Sequence, residues 1–495
     1  MMQVDGIPNV RVCECMAAGS PVVKMQNTIP IVDRLGILSR LHRFIGVGFQ
    51  YRIMYSSKSR RRLFYSVLKR ASGLGVGVSP AERPRPNLER LTPDVLVAGG
   101  GAAGLSAALE ASKGKDVLLV DSGREIGGDF FSRFSTSKLD EVSERIASLR
   151  TLIEQVRGSK RIRVLPRTRV VGYYQREGVF LGLSDDATYE VKTRNAVVAT
   201  GSHEVLPLFT NNDNPRVMLS FSAQALLRSE ASIGHHVIVL DVNGDGMLVA
   251  ADLAARSVQV DLVSVPGDLT EEAKTLGKKY GLESVTQSFA VRASDSGLDL
   301  AVGPESRKIS ADAVVVCGRH QPNYELAAML GCELDLLVGE TRMSLSIPGA
   351  PQMNVAVTGG LAKRSSLEAS VEDGKTAGAS IRDGRPANRR VTVQLDPDPY
   401  LERALATSPK DAYVCLCEDV TLDETIESIE EGYDNVETLK RFTGVLTGPC
   451  QGKQCALTVA SILARSGLKG PGSSPFTTTR PPIVSVPFSR LATGE

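Results

Sequence analysis

The stretch PDVLVAGGGAAGLSAALEASKGKDVLLVDSGREIGG, residues 93–128, predicts a strand, a glycine turn, a helix and a second strand. Residues 95–98 are a short apolar run of the kind that a buried parallel strand needs, and the alanines and leucines of residues 102–112 have helical spacing. Between these elements, Gly99, Gly101 and Gly104 fit the G-x-G-x-x-G pattern. We therefore predict a dinucleotide-binding unit around which the chain is organised.

Each glycine of this turn has a physical role. Gly99 allows the tight turn, Gly101 lets a pyrophosphate approach the backbone, and Gly104 lets the helix press against the strand. The helix N-terminus offers free N–H groups to the phosphates. The second strand ends at Asp121, whose carboxylate is spaced to bind an adenosine ribose hydroxyl. A glycine-rich turn without a ligand is the alternative, but the strand–turn–helix context favours a nucleotide site.

Two later turns are predicted to reach the same nucleotide. The apolar strand 196–199 ends in Thr200-Gly201, and the strand 354–357 runs into Thr358-Gly359-Gly360 before a helix over 367–381. Flavoproteins of this architecture usually carry an Asp where Gly360 stands, so FAD, NAD and ATP all remain possible ligands. The predicted cofactor-binding residues are Gly99, Gly101, Ala102, Ala103, Gly104, Asp121, Ser122, Gly127, Gly128, Thr200, Gly201 and Gly359.

The composition is that of a globular α/β protein with several domains. The chain has 495 residues, of which 42% are hydrophobic and 23% charged. A formal net charge of +2 gives no global reason to expect nucleic acid or an anionic membrane as partner. We find no apolar run long enough to span a bilayer and no secretion signal. We therefore expect a cytoplasmic protein whose eight cysteines are thiols or metal ligands.

Residues 1–85 form a visibly basic segment in which arginines and lysines alternate with aromatic residues, as in residues 49–70. A nucleic-acid surface is one interpretation, but aromatics at helical spacing more often pack than stack on bases. A segment that wraps the nucleotide domain or a partner protein is favoured. Cys13 and Cys15 form a C-x-C pair that has no other cysteine nearby.

A second βαβ unit is predicted over residues 231–329, with strands at 237–240 and 259–264 and a helix at 247–255. Its turn contains Gly244 and Gly246, but Val249 replaces the third glycine and Asp245 adds a carboxylate. Both changes oppose binding of a pyrophosphate, so we interpret this unit as a relic of the fold rather than an NAD(P)H site.

The remaining boundaries follow from composition and pattern. The first dinucleotide domain is predicted to span 86–230 and 330–385, with a small antiparallel insert built from strands between 162 and 191. Residues 386–404 are predicted to be a linker, 405–470 a small helical domain, and 471–495 an extended arm or loose tail rich in Pro, Ser and Thr.

A second candidate site lies in the small helical domain. Cys415 and Cys417 form C-L-C, and Cys450 and Cys455 bracket Q-G-K-Q just before a predicted helix over 456–464. A capping box, Thr421-Leu422-Asp423-Glu424, opens a helix between the two pairs. Four thiolates suit a 2Fe–2S cluster or zinc, and free thiols or a Cys450–Cys455 redox disulfide are the further alternatives. We favour the iron–sulfur cluster.

The order of these motifs resembles the alpha subunit of heteromeric sarcosine oxidase and its relatives: dye-linked L-proline dehydrogenases, opine oxidases and hydrogen cyanide synthase. The resemblance covers nearly the whole chain and is carried by GFQYRIMY from Gly48, RASGLG from Arg70, the turn from Gly99, ATGSHEVLPLFTNND from Ala199, PRVML from Pro215, ETLKRFTG from Glu437 and GPCQGKQC from Gly448. The opening from Asp5 is similar to the end of a plant-type ferredoxin module, in which Cys13 would be the last ligand.

The resemblance implies an α/β flavoprotein fold with two Rossmann-like dinucleotide-binding domains and a C-terminal iron–sulfur domain similar to bacterioferritin-associated ferredoxin. It also implies that a beta subunit with its own FAD oxidises the amine, that FMN lies at the alpha–beta interface, and that a small ferredoxin-like subunit is a further possible partner. We therefore expect an electron-transferring subunit without catalytic residues of its own, His203 being a structural hydrogen-bonder. The alternatives are a stand-alone NAD(P)H-dependent flavin and iron–sulfur reductase and a zinc-holding scaffold.

Overall fold

The computed structural model describes residues 2–10, 20–25, 47–48, 59, 62, 87–264, 270–282, 285–287, 289–294, 297–302, 305–338, 341–345, 353–361, 366–394, 399–407, 411–466, 476–486 and 488–491. The chain forms two compact units, Met1–Arg85 and Pro86–Glu495. The first contains a three-stranded antiparallel sheet of β1 (Met2–Val4), β2 (Ile7–Val10) and β3 (Val23–Met25). Cys13, Cys15 and, apart from Arg62, the basic and aromatic residues of 49–70 lie outside the described residues.

The second unit contains 24 described strands, β4 to β27. In chain order they are Asn87–Leu91, Val95–Ala98, Val117–Val120, Ile162–Leu165, Arg169–Tyr174, Val179–Leu183, Ala187–Val191, Asn195–Val198, Ser202–Val205, Val217–Leu219, His236–Asp241, Gln259–Ser264, Val285–Gln287, Phe289–Ser294, Gly297–Val302, Glu305–Ser310, Ala313–Cys317, Arg319–Pro322, Glu333–Val338, Thr341–Leu345, Asn354–Val357, Arg390–Gln394, Tyr413–Cys415 and Val420–Thr421.

The α-helices of this unit, α1 to α13, are Ala102–Ala111, Gly128–Phe134, Asp140–Gly158, Ser220–Arg228, Gly246–Ala254, Glu271–Lys279, Glu325–Met329, Leu367–Arg382, Pro399–Thr407, Leu422–Glu430, Val436–Thr443, Ala456–Arg465 and Phe488–Leu491. A 3-10 turn follows β24 at Gly359–Leu361. Among the described residues, no helix combines the length and hydropathy needed to cross a membrane.

The first dinucleotide domain is built on a parallel sheet with the strand order β24-β11-β5-β6-β7. Every residue of Val95–Ala98 and Val117–Val120 is buried, as expected for strands covered on both faces. The return of the chain to this sheet through β24 is confirmed. The predicted antiparallel insert was wrong in one strand, because β7 pairs with β6 in the parallel sheet. The insert itself has the order β4-β10-β9-β8.

The second dinucleotide domain has the parallel order β13-β20-β14-β15-β16, beside an antiparallel sheet of β17, β18 and β19. The predicted start at residue 231 was wrong, because β13 (Val217–Leu219) already pairs with β20 in this sheet. Helix α4, which follows β13 directly, begins before that boundary as well. Strand β13 has only three residues, which is too short for a recognisable hydrophobic period.

The predicted linker at 386–404 was also wrong. Residues 390–394 form β25, which pairs in parallel with β22, while β23 completes the same three-stranded sheet. Val391 and Val393 are buried, so the alternation R-V-T-V-Q is a strand pattern that the nearby prolines concealed. Helix α9 follows at Pro399–Thr407, with Leu401 and Ala404 buried.

The cysteine-bearing segment packs on the first domain rather than standing apart. Ala456, Leu457 and Ala460 of α12 belong to the same buried cluster as Leu96, Val198 and Val355 of the parallel sheet. The predicted capping box is confirmed, since Thr421 and Glu424 each bind the other's backbone N–H.

The described part of the C-terminal segment is an extended arm. The Ile483 N–H donates to the Val171 carbonyl oxygen (2.8 Å), and Thr188 Oγ1 donates to the carbonyl oxygen of Arg490 (3.1 Å). Phe476 is buried against Tyr324, with ring centroids 4.9 Å apart. The arm therefore packs on the four-stranded sheet β4-β10-β9-β8 of the first domain.

Helices α1 and α8 approach each other at the level of their backbones. A Cβ atom added to Gly374 or Gly378 would overlap the carbonyl oxygens of Ala103 or Ala107, respectively. Glycine on α8 facing alanine on α1 removes the side chains that normally separate two helices. This contact brings the 3-10 turn after β24 against the first turn of α1, where a Cβ on Gly359 would lie 2.8 Å from the Ala103 Cβ.

We predict that Gly378→Ala destabilises the chain by about 1–3 kcal/mol, because the added methyl group cannot enter without separating α1 from α8. The matched control is Gly158→Ala in α3, where an added Cβ meets nothing within 4 Å. That change should leave stability unchanged or raise it by about 0.5–1 kcal/mol through helix propensity. Chemical unfolding measures both, and equal midpoints for the two variants would contradict the close helix contact.

Candidate functional site

Two glycines of the first turn are required by the fold itself. Gly99 has φ +110°, and a Cβ there would overlap the Ala199 carbonyl oxygen. A Cβ on Gly104 would overlap the carbonyl oxygen of Gly99, since α1 runs against the strand at this point. Both positions are thus closed to any side chain by main-chain atoms of the protein.

Gly101 is different, because no contact among the described residues requires a glycine at this position. Its φ of −76° and ψ of −178° suit any residue, and the nearest atom to an added Cβ is the Gly128 Cα at 3.6 Å. Gly101 is the N-cap of α1, and no side chain among the described residues caps this helix. The first N–H groups of α1 and the missing side chain at Gly101 leave room for a phosphate group.

Asp121 lies beside this turn at the end of β6. Its carboxylate accepts hydrogen bonds from the N–H groups of Gly100 (2.5 Å) and Gly123 (2.6 Å). A carboxylate has about four lone-pair positions, so Asp121 retains acceptors for a ribose hydroxyl. Ser122 follows it directly. The structure therefore brings Asp121 to the glycine turn, as the strand–turn–helix–strand pattern requires.

The Gly127-Gly128 pair closes the other side of the turn. The Gly127 N–H donates to the Gly100 carbonyl oxygen (2.8 Å), and Gly127 and Gly101 form an isolated bridge. Gly128 has φ +72°, and its Cβ position lies 2.5 Å from the Gly101 Cα. These glycines are needed because the two turns touch each other.

The Thr200-Gly201 turn is held by Asn323, which is not among the predicted site residues. The Asn323 side chain donates from Nδ2 to the Thr200 carbonyl oxygen (2.8 Å), and Thr200 Oγ1 donates to the Asn323 carbonyl oxygen (2.9 Å). The Asn323 N–H also donates to the Gly201 carbonyl oxygen (2.9 Å). Thr200 and Asn323 are 123 positions apart in the sequence, so a local sequence pattern cannot predict their contact.

A second unpredicted residue, Asp373 of α8, holds the turn after β24. Its Oδ2 accepts from Thr358 Oγ1 and from the Gly359 N–H, each at 2.7 Å. Gly359 has φ +71° and lies against Ala103 at the start of α1. The predicted residues of α1 and Gly359 are therefore neighbours.

The glycine turn of the second domain already holds an anion of its own. Asp241 Oδ1 accepts from the Gly244 N–H (2.8 Å), and further backbone hydrogen bonds reach this carboxylate from Gly246 and Asn243. Burial raises the pKa of Asp241, and these hydrogen bonds oppose the rise. A Cβ on Gly246 would overlap Asp241, so the protein accounts for this glycine without a ligand.

The four cysteines of the C-terminal segment meet as two pairs. The Cys415 and Cys455 side chains are hydrogen-bonded to each other, as are those of Cys417 and Cys450. Backbone N–H groups of Glu418, Cys417 and Leu446 point at the Cys415 sulfur, and that of Cys450 at the Cys417 sulfur. Cys415 and Cys455 are buried, whereas Cys417 is exposed.

The hydrogen bonds and burial move the thiol pKa values apart. The bond from Cys455 lowers the pKa of Cys415 to about 6, with the backbone N–H groups acting in the same direction against burial. The same bond and burial raise the pKa of Cys455 far above its usual value. Partial desolvation of the Cys417 thiol, together with its hydrogen bond to Cys450, raises the pKa of Cys417 to about 11. One thiolate is thus favoured within the buried pair.

The four cysteines lie as two thiol pairs, and no group of three or more His, Cys, Asp or Glu side chains among the described residues is placed so that it could hold a single metal ion. Four sulfurs in two touching pairs, with N–H groups directed at them, provide the ligand set and the outer hydrogen bonds that iron–sulfur clusters use. The same four sulfurs are also a ligand set for zinc.

The loop between Cys450 and Cys455 docks on the β12–β21 ribbon. His203 binds the Lys453 carbonyl oxygen through Nε2, and Lys453 Nζ forms an ion pair with Glu325. The Leu457 N–H donates to Oε1 of the buried Gln321 (2.9 Å). The ribbon begins at Ser202, directly after the Thr200-Gly201 turn. The cysteine loop and the nucleotide turn are therefore neighbours in the fold.

Two family models match the chain. Residues 93–349 match the pyridine nucleotide-disulphide oxidoreductase model, and residues 409–495 match the sarcosine oxidase A3 domain. The first model covers the two dinucleotide domains, and it implies binding of FAD or NAD(P). The second covers the whole cysteine-bearing segment and the C-terminal arm.

Similar proteins agree with these matches. The sarcosine oxidase alpha subunit of Corynebacterium sp. (strain P-1) is 27% identical over 81% of this chain and 45% of its own. An opine oxidase subunit of Agrobacterium tumefaciens (strain Ach5) is 25% identical over 81% of this chain and 91% of its own. This chain therefore spans about half the length of the sarcosine oxidase subunits that it matches.

Among solved structures, the L-proline dehydrogenase of P. horikoshii superposes with a TM-score of 0.62 at 20% identity, covering 84% of this chain and 82% of that one. This likeness establishes the fold. The family model that matches residues 93–349 shows that this chain is a member of the pyridine nucleotide-disulphide oxidoreductases, and its C-terminal part is similar to the A3 domain of sarcosine oxidase.

Proposed function

We propose that the chain is the nucleotide-binding, electron-transferring subunit of a heteromeric flavin-dependent amine or amino-acid dehydrogenase or oxidase of the sarcosine, proline or opine type. The observation that carries this proposal is that Cys415 pairs with Cys455 and Cys417 pairs with Cys450, on a segment that docks beside the Thr200-Gly201 turn. A partner beta subunit with FAD oxidises the substrate. FMN at the interface between the subunits and a small ferredoxin-like subunit complete the proposed assembly, which involves neither nucleic acid nor a membrane span.

The four cysteines hold a 2Fe–2S cluster in this proposal. When bound, such a cluster accepts and releases one electron at a time. The protein orients the ligands through the N–H groups of Glu418, Cys417 and Leu446 and excludes water from Cys415 and Cys455. Cys417 is exposed, so the face around it is the side from which an acceptor takes electrons.

The first dinucleotide site holds the adenine half of FAD, NAD or ATP. The start of α1 and Gly101 bind the phosphates, and Asp121 binds the ribose. Support comes from the contrast among the glycines, since the fold explains Gly99, Gly104 and Gly128 but leaves Gly101 without a structural reason. A bound pyrophosphate that lies close to the backbone at Gly101 would explain why this position has no side chain.

The second dinucleotide domain has a structural role in this proposal. A pyrophosphate at its turn would have to displace the Asp241 carboxylate from the N–H groups of Gly244 and Gly246. It would also approach the carboxylate of Asp245. Electrons therefore reach the cysteine centre from a partner flavin rather than from NAD(P)H bound to this chain.

The geometry of His203 supports substrate oxidation on another subunit. His203 was expected to be a structural hydrogen-bonder, and both of its ring nitrogens are engaged, one by Asn323 and one by Lys453. Because Asn323 and Lys453 occupy both ring nitrogens, neither nitrogen is open to a substrate amine. We assign no catalytic residue for amine oxidation to this chain.

The first test concerns the metal. We expect the purified full chain to contain two irons and the charge-transfer absorbance of a 2Fe–2S cluster. Cys455→Ala should lower the iron content at least tenfold, whereas Cys332→Ala, which removes another buried thiol, should leave it unchanged. Metal analysis and visible spectra measure both variants. A colourless wild-type protein with one zinc would contradict the electron-transfer role.

The second test concerns the nucleotide. Gly101→Ala should preserve folding, because its backbone angles and surroundings accept a methyl group, yet lower nucleotide retention by at least tenfold. Chromatography of the nucleotides released from wild-type and variant protein gives the readout, and identifies FAD, NAD or ATP. Thermal unfolding is the control for folding. Full retention in Gly101→Ala would place the ligand elsewhere.

The third test separates an electron-transferring component from a stand-alone enzyme. The purified chain with added flavin should neither bleach the flavin on addition of NADH nor consume sarcosine, proline or an opine. Dithionite, which reduces flavin directly, is the positive control for bleaching. Rapid bleaching by NADH would favour the stand-alone reductase, and unaided consumption of an amine would end the proposal of a partner site.

A further inference from the structure

His203 stands between two hydrogen-bond acceptors. Its Nδ1 lies 2.8 Å from Asn323 Oδ1, and its Nε2 contacts the Lys453 carbonyl oxygen. The backbone carbonyl can only accept, so Nε2 must carry a hydrogen for that bond to form. The state of Nδ1 then depends on which end of the Asn323 amide faces the ring.

The Asn323 amide has its orientation fixed from the other side. Its Nδ2 donates to the Thr200 carbonyl oxygen at 2.8 Å, which leaves the oxygen Oδ1 facing His203. Turning the amide over would place two oxygens against each other at Thr200. Both ring nitrogens therefore face acceptors, and a neutral imidazole, which has one N–H, can satisfy only one of them.

The surroundings keep His203 neutral at rest. Burial lowers its pKa, with the hydrogen bonds to Lys453 and Asn323 acting against burial and the Lys453 charge acting with it. Burial also lowers the pKa of Lys453 to about 8. The neighbouring ribbon residues Glu204 and His320 pair on the opposite face from His203 and Gln321. The charged groups on the side of His203 are Lys453, its partner Glu325, Arg319 on the facing strand, and Arg169 near Lys453.

The position of His203 links the two candidate sites. Through Asn323 it reaches the Thr200 carbonyl oxygen at the nucleotide turn, and through Lys453 it reaches the loop bounded by Cys450 and Cys455. An electron that arrives on the thiolate centre adds a negative charge to this loop. Added negative charge raises the proton affinity of a nearby imidazole.

We infer that His203 is a positioning residue that takes up one proton when the cysteine centre accepts one electron. This inference rests on the proposed function. The electron comes from a reduced flavin of the partner, and the proton comes from solvent and forms the missing N–H bond at Nδ1. The imidazolium then donates to both Asn323 and Lys453, so the reduced state gains a hydrogen bond. Oxidation of the centre returns the proton to solvent.

The test is a redox titration of the full chain, followed by cluster absorbance between about pH 6 and about pH 9. In wild type, the midpoint potential should fall by about 59 mV per pH unit over part of this range, which is one tenfold change in proton concentration for a one-electron couple. His203→Gln should give a flat profile with unchanged iron content, because glutamine keeps polar contacts but does not titrate.

Two further variants make the result specific. His236→Gln is the matched control, since His236 pairs with Asp261 in the second domain and should leave the slope unchanged. In Asn323→Asp, the new carboxylate stabilises the imidazolium and so raises the pKa of His203. Near neutral pH the ring should then stay protonated in both redox states, and the pH range in which the potential changes should move to higher pH.

The outcomes distinguish this inference from the proposed function. A wild-type potential that does not change with pH, or a slope that persists in His203→Gln, overturns the role of His203 while the cluster and its electron transfer stand. Zinc in place of iron, found by metal analysis before the titration, overturns both. A slope that is lost in His203→Gln and kept in His236→Gln supports the inference.

Discussion

The rest of the structure depends on backbone packed directly against backbone at the first glycine turn. Gly104 lies on the Gly99 carbonyl, Gly99 lies on the Ala199 carbonyl, and Gly374 and Gly378 lie on α1. No side chain separates these elements, so flexible rotamers do not set their spacing. The N-terminus of α1, the Thr200 turn and the Gly359 turn are therefore held in one place by main-chain contacts. A ligand that bridges them meets a preformed site.

The two glycine turns of this chain show how similar sequences can have different uses. In the first, Asp121 accepts from one N–H of the turn and one beyond it, and an added Cβ at Gly101 would come no closer than 3.6 Å to any described atom. In the second, Asp241 reaches back over the turn and takes the N–H groups itself. A carboxylate already bound to these donors competes with any phosphate. The difference lies in which anion satisfies the backbone, rather than in the count of glycines.

The cysteine-bearing segment is joined to the nucleotide domain by buried polar contacts as well as by apolar packing. Gln321 and His203 on one side meet the backbone of Leu457 and Lys453 on the other, and Asn323 holds His203 in place. Buried polar contacts fix orientation, because a displaced partner would leave donors unsatisfied. Within this segment Cys455 is buried, whereas Cys417 is exposed. This asymmetry gives a proposed electron path its direction.

The sequence by itself determined the elements and the composition of the sites. Strands β5, β6, β11, β14, β15 and β24, the helices that follow the glycine turns and the Thr421 capping box could all be predicted, because hydrophobic period and glycine spacing are local signals. Tertiary structure alone decided that β7 joins the parallel sheet of the first domain, that residues 217–219 form a strand of the second domain, and that residues 390–394 are a strand rather than a linker. It also decided that Asn323 and Asp373 hold the nucleotide turns and that Asp241 fills the second one. These features depend on contacts between residues far apart in the chain, and the hydrophobic periodicity of the surrounding sequence does not encode such contacts.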